Sequence, residues 1–278
     1  MVEKINNKKK ANITFFAMVI VVSAILETFI CFGGSKWLYL GLMFTPAVAA
    51  TIANCMILRD SKESFSFKKL FSMVGFRKCK LKYILVAFLV PLIYQFISYG
   101  LYWIIFPQSF SCKIVSFWEI IQDIILPLIV GIITSLALVL GEEIGWRGYM
   151  VLALYERLGL NKMLFISSIF WCFWHLPLLI SGDYMSGTTL WYQVPAFILC
   201  ILPIGIIIGL ITIQSGSIWP AVFLHAAHNN YDQDVFGAIT QAEDKMYYVS
   251  ETGILTIICA WIVAIIMFIR FRKSNKLS

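Results

Sequence analysis

Charge is scarce in this sequence. Only 13% of its 278 residues are Asp, Glu, Lys or Arg, where a soluble globular chain carries about a quarter. The few charges are bunched, and the runs between them are apolar. That distribution excludes a water-soluble domain and leaves several stretches of the roughly 20 apolar residues that cross a bilayer as a helix. Alternation of apolar and polar residues is also missing from those runs, which excludes a strand barrel. No CxxC pair occurs among the seven cysteines, Cys31, Cys55, Cys79, Cys112, Cys172, Cys200 and Cys259. An odd, scattered set mostly inside apolar runs reads as small hydrophobes, not as a zinc or redox site. Histidine is rarer still, at three residues, and all three fall in apolar surroundings.

What is present is an all-α membrane protein. Eight candidate spans emerge at 12–33, 37–58, 83–106, 124–155 (interrupted), 163–180, 191–213, 217–231 and 252–270. With the N-terminus in the cytoplasm and Arg147 set aside as lying at membrane depth, 18 Lys and Arg lie on the inner side and three, Lys36, Lys113 and Lys245, on the outer. The positive-inside rule therefore sets both termini in the cytoplasm, in agreement with an even number of spans. The net charge of +7 is topology and does not mark a nucleic-acid surface. The first span exceeds the 7–15 apolar residues of a signal peptide and reads as a retained helix. Residues 61–80 mix Phe65, Phe67, Phe71 and Phe76 with Lys and Arg, as a basic segment on an anionic leaflet does or as a solvated loop with stray aromatics does. The acidic stretch 232–251 reads as a solvated outer loop. No internal repeat is visible, so 1–278 is taken as one transmembrane domain.

Ionisable residues at membrane depth are costly and mark functional sites. The first such place is Glu142-Glu143-Ile144-Gly145-Trp146-Arg147, inside a region too long to be one perpendicular span, with Gly141 and Gly145 as expected weak points. Glu143 and Arg147 are spaced i,i+4 with the acid first, the favourable order for a helix pair, which leaves Glu142 free for chemistry. The second is Trp171-Cys172-Phe173-Trp174-His175, where the indole one turn earlier can pack on the imidazole. The third is His225-Ala226-Ala227-His228-Asn229, which puts His225 and Asn229 on one helix face. Counted from the flanking basic residues, Glu142 and His175 each lie roughly 20 Å from the inner side, with His225 and Asn229 near the same level. Three helices thus bring polar groups to a shared depth. Glu27 and Asp123, each near a span end, read as interfacial or helix-packing residues.

A buried carboxylate with a histidine can deprotonate water, and a second histidine with a carboxamide can hold a developing oxyanion. The combination suits amide hydrolysis. The same residues also allow a metal, zinc or another divalent ion, with Glu142, His175 and His225 as ligands and water as the fourth. The absence of HExxH tips the reading towards a metal-free route.

The three motifs, Glu142-Glu143-x-x-x-Arg147, Trp171-x-x-x-His175 and His225-x-x-x-Asn229, resemble those of the CPBP intramembrane proteases, which include the type II CAAX prenyl endopeptidases and the bacterial Abi proteins. The resemblance covers about 120–231 and departs only at Trp171, where that family usually has Phe. It implies that Glu142 and His175 activate water, that His225 and Asn229 form the oxyanion site, and that Glu143 and Arg147 support them. It further implies an endopeptidase of the bacterial inner membrane acting on a membrane-associated protein or peptide, with bacteriocin processing or self-immunity as roles. HExxH, GxSG and GxGD motifs of other intramembrane proteases are absent. Two other classes compete: a catalytically silent immunity or partner protein that keeps the polar core, and an ion-coupled transporter.

Overall fold

The computed structural model describes residues 2–35, 37–60, 66–111 and 116–274; the side chains of 2–6, Asp60 and Asp123 lie outside the described residues, as do Lys36, Phe65, Cys112 and Lys113. Among the described residues it is helical with no named strand. In chain order the helices are α1 Val2–Cys31, α2 Trp37–Asp60, α3 Phe67–Met73, α4 Leu81–Ile105, α5 Phe117–Ile120, α6 Leu126–Gly145, α7 Leu152–Ser181, α8 Leu190–Ser215, α9 Trp219–Asn230, α10 Lys245–Tyr248 and α11 Ile254–Ser274. Each expected span coincides with a helix. Among the described residues six helical stretches are long and apolar enough to cross a membrane, and one of them, Leu126–Ser181, runs for 56 residues. It kinks at Gly159, whose φ of +73° is open to glycine and strained for other residues.

The short helix α9, with 12 residues, does not reach across alone. It continues through a wide turn, Tyr231–Phe236, alongside α4. Phe223 meets Phe88, His228 meets Tyr94 and Gln95, and Asp232 meets Tyr99. The two run parallel in register; α9 is too short to count among the six stretches long enough to cross, so the expected count of eight is not reached. Neighbouring helices close a ring in the order α1, α2, α6, α9, α4, α11, α8, α7, back to α1. Both termini sit at one end of the ring: Lys8 pairs with Glu156, and Phe271 packs with Val151. The segment before α4 is at that end too, through Ser217 to the Arg77 carbonyl. There α3 exposes Phe67 and Phe71, the apolar face that a surface-lying helix needs.

Two expectations are corrected. Gly141 and Gly145 do not break the helix. A Cβ on Gly141 would lie 2.8 Å from the Met43 carbonyl oxygen, and one on Gly145 would lie 2.2 Å from Cβ of Pro46, so these glycines let α6 press directly on α2. The helix instead widens just after them, over Trp146–Val151, into a π turn, a form common at functional sites. The acidic loop is not simply solvated. Asp232 and Glu251 are each 2% exposed, because tyrosines of α4 and the α7–α8 connection supply hydrogen bonds. Glu27 proves to be a packing residue, buried within α1.

Candidate functional site

Glu142 lies at the middle of the continuous helix formed by α6, the π turn and the start of α7. Its Oε2 accepts two indole N–H bonds, from Trp146 at 3.3 Å and Trp171 at 3.2 Å. The first is a local i,i+4 bond; the second crosses to the second half of α7. Neutral indoles can orient a carboxylate without neutralising it, and both bonds fall on one oxygen, so Oε1 stays open. The residue is 3% exposed.

Glu143 faces the other way and is fully buried. Its Oε1 accepts from Arg147 Nη1 at 2.6 Å and meets His225 Nδ1 at 2.8 Å. The expected i,i+4 pair is therefore present, and a third partner, 82 positions away, was not legible in the motif spacing. A carboxylate paired with Arg accepts, so His225 Nδ1 carries the proton and donates it. Nε2 of His225 faces away from that bond, with a lone pair in the neutral ring and a proton in the imidazolium.

His175 makes its own tautomer legible. Nδ1 lies 2.8 Å from the Trp171 carbonyl oxygen, which can only accept. Nδ1 therefore holds the proton, and Nε2 presents its lone pair. Trp171 is the hub. Its ring stands edge-on to His175 at 5.5 Å and to His225 at 5.2 Å between centroids, and the Arg147 guanidinium lies 4.3 Å over it. The sequence suggested the His175 contact; that the same indole would also touch Glu142, His225 and Arg147 depends on how three helices converge. The side chain of Asn229, half-buried one turn beyond His225, makes no hydrogen bond among the described residues.

These residues do not fit a metal as they stand. Among the described residues no group of three or more His, Cys, Asp or Glu is placed to hold an ion. The donors left open, Glu142 Oε1, His175 Nε2 and His225 Nε2, are not gathered about one point.

His228 is i+3 from His225, a spacing that allows it to share the His225 face. It turns instead to α4 and the outer loop. Its Nε2 meets Glu251 Oε1 at 2.9 Å, while Tyr94 Oη and Gln95 Nε2 approach Nδ1 at 2.6 and 2.7 Å. Tyr184 donates to Glu251 Oε2 at 2.7 Å, and its ring lies 5.6 Å from that of His175. The loop is thereby stitched over one end of the site. Burial alone would raise the Glu251 carboxyl; the hydrogen bonds from His228 and Tyr184 outweigh it and hold the group below its ordinary 4.5. A depressed carboxyl stabilises the fold at pH above its unfolded value, and that contribution disappears as pH falls through the folded value. Thermal stability in detergent is expected to fall as pH drops below about 4.5, with Glu251→Gln flattening that dependence. An unchanged pH profile in the variant would refute it.

Residues 124–231 match the family model described as type II CAAX prenyl endopeptidase Rce1-like. A curated relative, CAAX prenyl protease 2 from Methanococcus maripaludis, is 37% identical over 127 residues, which is 44% of this chain and 44% of the relative. The chain thus matches less than half the length of that relative, and the matched family segment contains Glu142, His175, His225 and Asn229.

Proposed function

We propose that this chain, whose residues 124–231 carry the CPBP-family segment of a type II CAAX prenyl endopeptidase, is an intramembrane endopeptidase. The observation that carries the reading is the meeting of Glu142 and His175 around Trp171, with one carboxylate oxygen and one imidazole nitrogen left open. Water accepts orientation from His175 Nε2 and gives a proton to Glu142 as its oxygen bonds to the scissile carbonyl carbon. The carbonyl oxygen takes up the electron pair as an oxyanion, held by the Asn229 amide and by Nε2–H of the His225 imidazolium. Glu143 accepts from Nδ1–H of that ring, and Arg147 holds Glu143 in place through Nη1. Collapse of the intermediate breaks the C–N bond; Glu142 returns its proton to the leaving nitrogen, giving a carboxylic acid and an amine.

The substrate class is a membrane-associated protein or peptide. A prenylated C-terminal tail is the first to test, and bacteriocin maturation or self-immunity is a role the same chemistry serves. The positive-charge bias supports both termini in the cytoplasm of a bacterial cell membrane, and the closed helix ring supports a single transmembrane domain. Comparing membrane proteomes of wild-type and Glu142→Ala cells tests the activity: uncut precursors should accumulate in the variant. If the variant at normal protein level processes every precursor as the wild type does, the chain is a silent membrane partner.

Trp171 offers a finer test. Trp171→Phe keeps a ring against both histidines and removes the N–H that Glu142 accepts. A hydrogen bond to a charged group contributes about 1.5–3 kcal/mol, so kcat should fall roughly tenfold or more with KM little changed. An equal kcat would remove Trp171 from the positioning of Glu142.

A further inference from the structure

At the end of the ring that holds both termini, a cavity of about 650 Å³ opens between α1, α2, the segment after α3, and the start of α7. Lys8, Lys9, Arg77 and Arg157 line it against one carboxylate, Glu156, which already pairs with Lys8. Asn54, also in its wall, is 3% exposed, and its amide nitrogen has no acceptor among the described residues. A buried amide donor without an acceptor is costly, and here it stands in a cavity with a surplus of positive charge. Both features call for an anion with several acceptor oxygens.

A second cavity, about 450 Å³, shares Lys9, Asn12 and Arg157 with the first and runs down the α1–α7 seam. Its remaining wall is largely apolar, with Ile13, Phe16, Ala17, Leu154 and Leu158. A polar, cationic chamber thus leads into a hydrocarbon groove along the axis of the bundle. Neither chamber is lined by Glu142, His175 or His225, so a molecule filling both makes no contact with the reacting groups. We propose that the paired cavities bind an anionic glycerophospholipid of the adjoining leaflet, its phosphate among Lys9, Arg77, Arg157 and Asn54 and an acyl chain in the α1–α7 groove. Basic pockets between membrane helices recognise anionic head groups by this chemistry. The acyl groove favours a lipid over free phosphate, and the separation from Glu142 favours it over a peptide being cut.

The test uses purified full-length protein, delipidated in neutral detergent and titrated with fluorescent-acyl phosphatidylglycerol or phosphatidylcholine. Phosphatidylglycerol should bind at least tenfold more tightly. Removing two cations, Lys9→Ala with Arg157→Ala, should weaken it about 20- to 30-fold. Lys82→Ala, outside the cavity, should change nothing. Ala17→Trp should lower affinity by blocking the groove, with an unchanged gel-filtration profile showing that it folds; Leu158→Trp is the second groove variant should that one fail. Equal binding of the two lipids, or full affinity in the double variant, overturns the proposal. Displacement by inorganic phosphate at equal concentration, with both groove variants neutral, assigns a free-anion site instead. Displacement by a peptide through its C-terminal carboxylate assigns the cavity to a protein partner.

Discussion

Glu142→Gln is expected to yield a folded protein whose peptide cleavage is lower by about 10³-fold or more. The substitution is nearly isosteric, and its carbonyl oxygen can still accept from both Trp146 and Trp171, so the packing of the π turn on α7 survives. What is lost is the capacity to take a proton from water at Oε1. KM for a peptide should move little, because in the proposed reaction Glu142 acts on water and its removal is felt in the transition state. His175→Ala should fall in the same range, and the double variant should be no worse than the weaker single one, since the two groups act on one water. Measured single-turnover cleavage settles it: a Gln variant within about tenfold of wild type would transfer the base to another residue.

Glu143→Gln should behave differently, although it is the next residue. Glu143 is wholly buried and Arg147 is 3% exposed, so neutralising the acid takes from the guanidinium the carboxylate it is directly paired with in the low-dielectric interior. Breaking a buried pair in this way costs about 3–5 kcal/mol, enough to bring thermal unfolding down visibly. Replacing both partners by apolar residues, Glu143→Leu with Arg147→Met, should recover much of that stability, since well-packed hydrophobes often match a buried pair. It should not recover cleavage, because His225 loses the acceptor behind Nδ1; loss of a carboxylate behind a catalytic histidine costs on the order of 10⁴-fold elsewhere. Recovery of activity along with stability would make Glu143 structural only. The contrast between neighbours, one silent in stability and the other not, is the signature of the division between them.

The spans, the Glu143–Arg147 pair and the grouping of three motifs were legible because hydropathy and i,i+4 spacing are local signals. The Glu143–His225 bond and the convergence on Trp171 were not, since they depend on which helices become neighbours. Aromatic content hid the role of Trp171: an indole in an apolar run looks like packing until its N–H has a carboxylate to meet. The fate of Glu251 was misread for a related reason. Its partners, His228 and Tyr184, come from separate stretches of the chain, and nothing in the acidic loop itself announces them. Glycines 141 and 145 were taken for flexible points, yet their use is the space a missing Cβ gives to Pro46 and Met43.

The i,i+4 bonds of both acids have a consequence for biogenesis. Chains are made from the N-terminus, so α6 reaches the membrane before the second half of α7 and before α9 have been synthesised. Glu142 and Glu143 must then enter hydrocarbon without Trp171 or His225. Trp146 and Arg147, already in the same helix, supply each acid with a partner of its own during that interval. The helix proposed to carry the chemistry thus brings a hydrogen-bond donor for each acid into the membrane with it, and its long-range contacts take hold only as the rest of the ring closes around it.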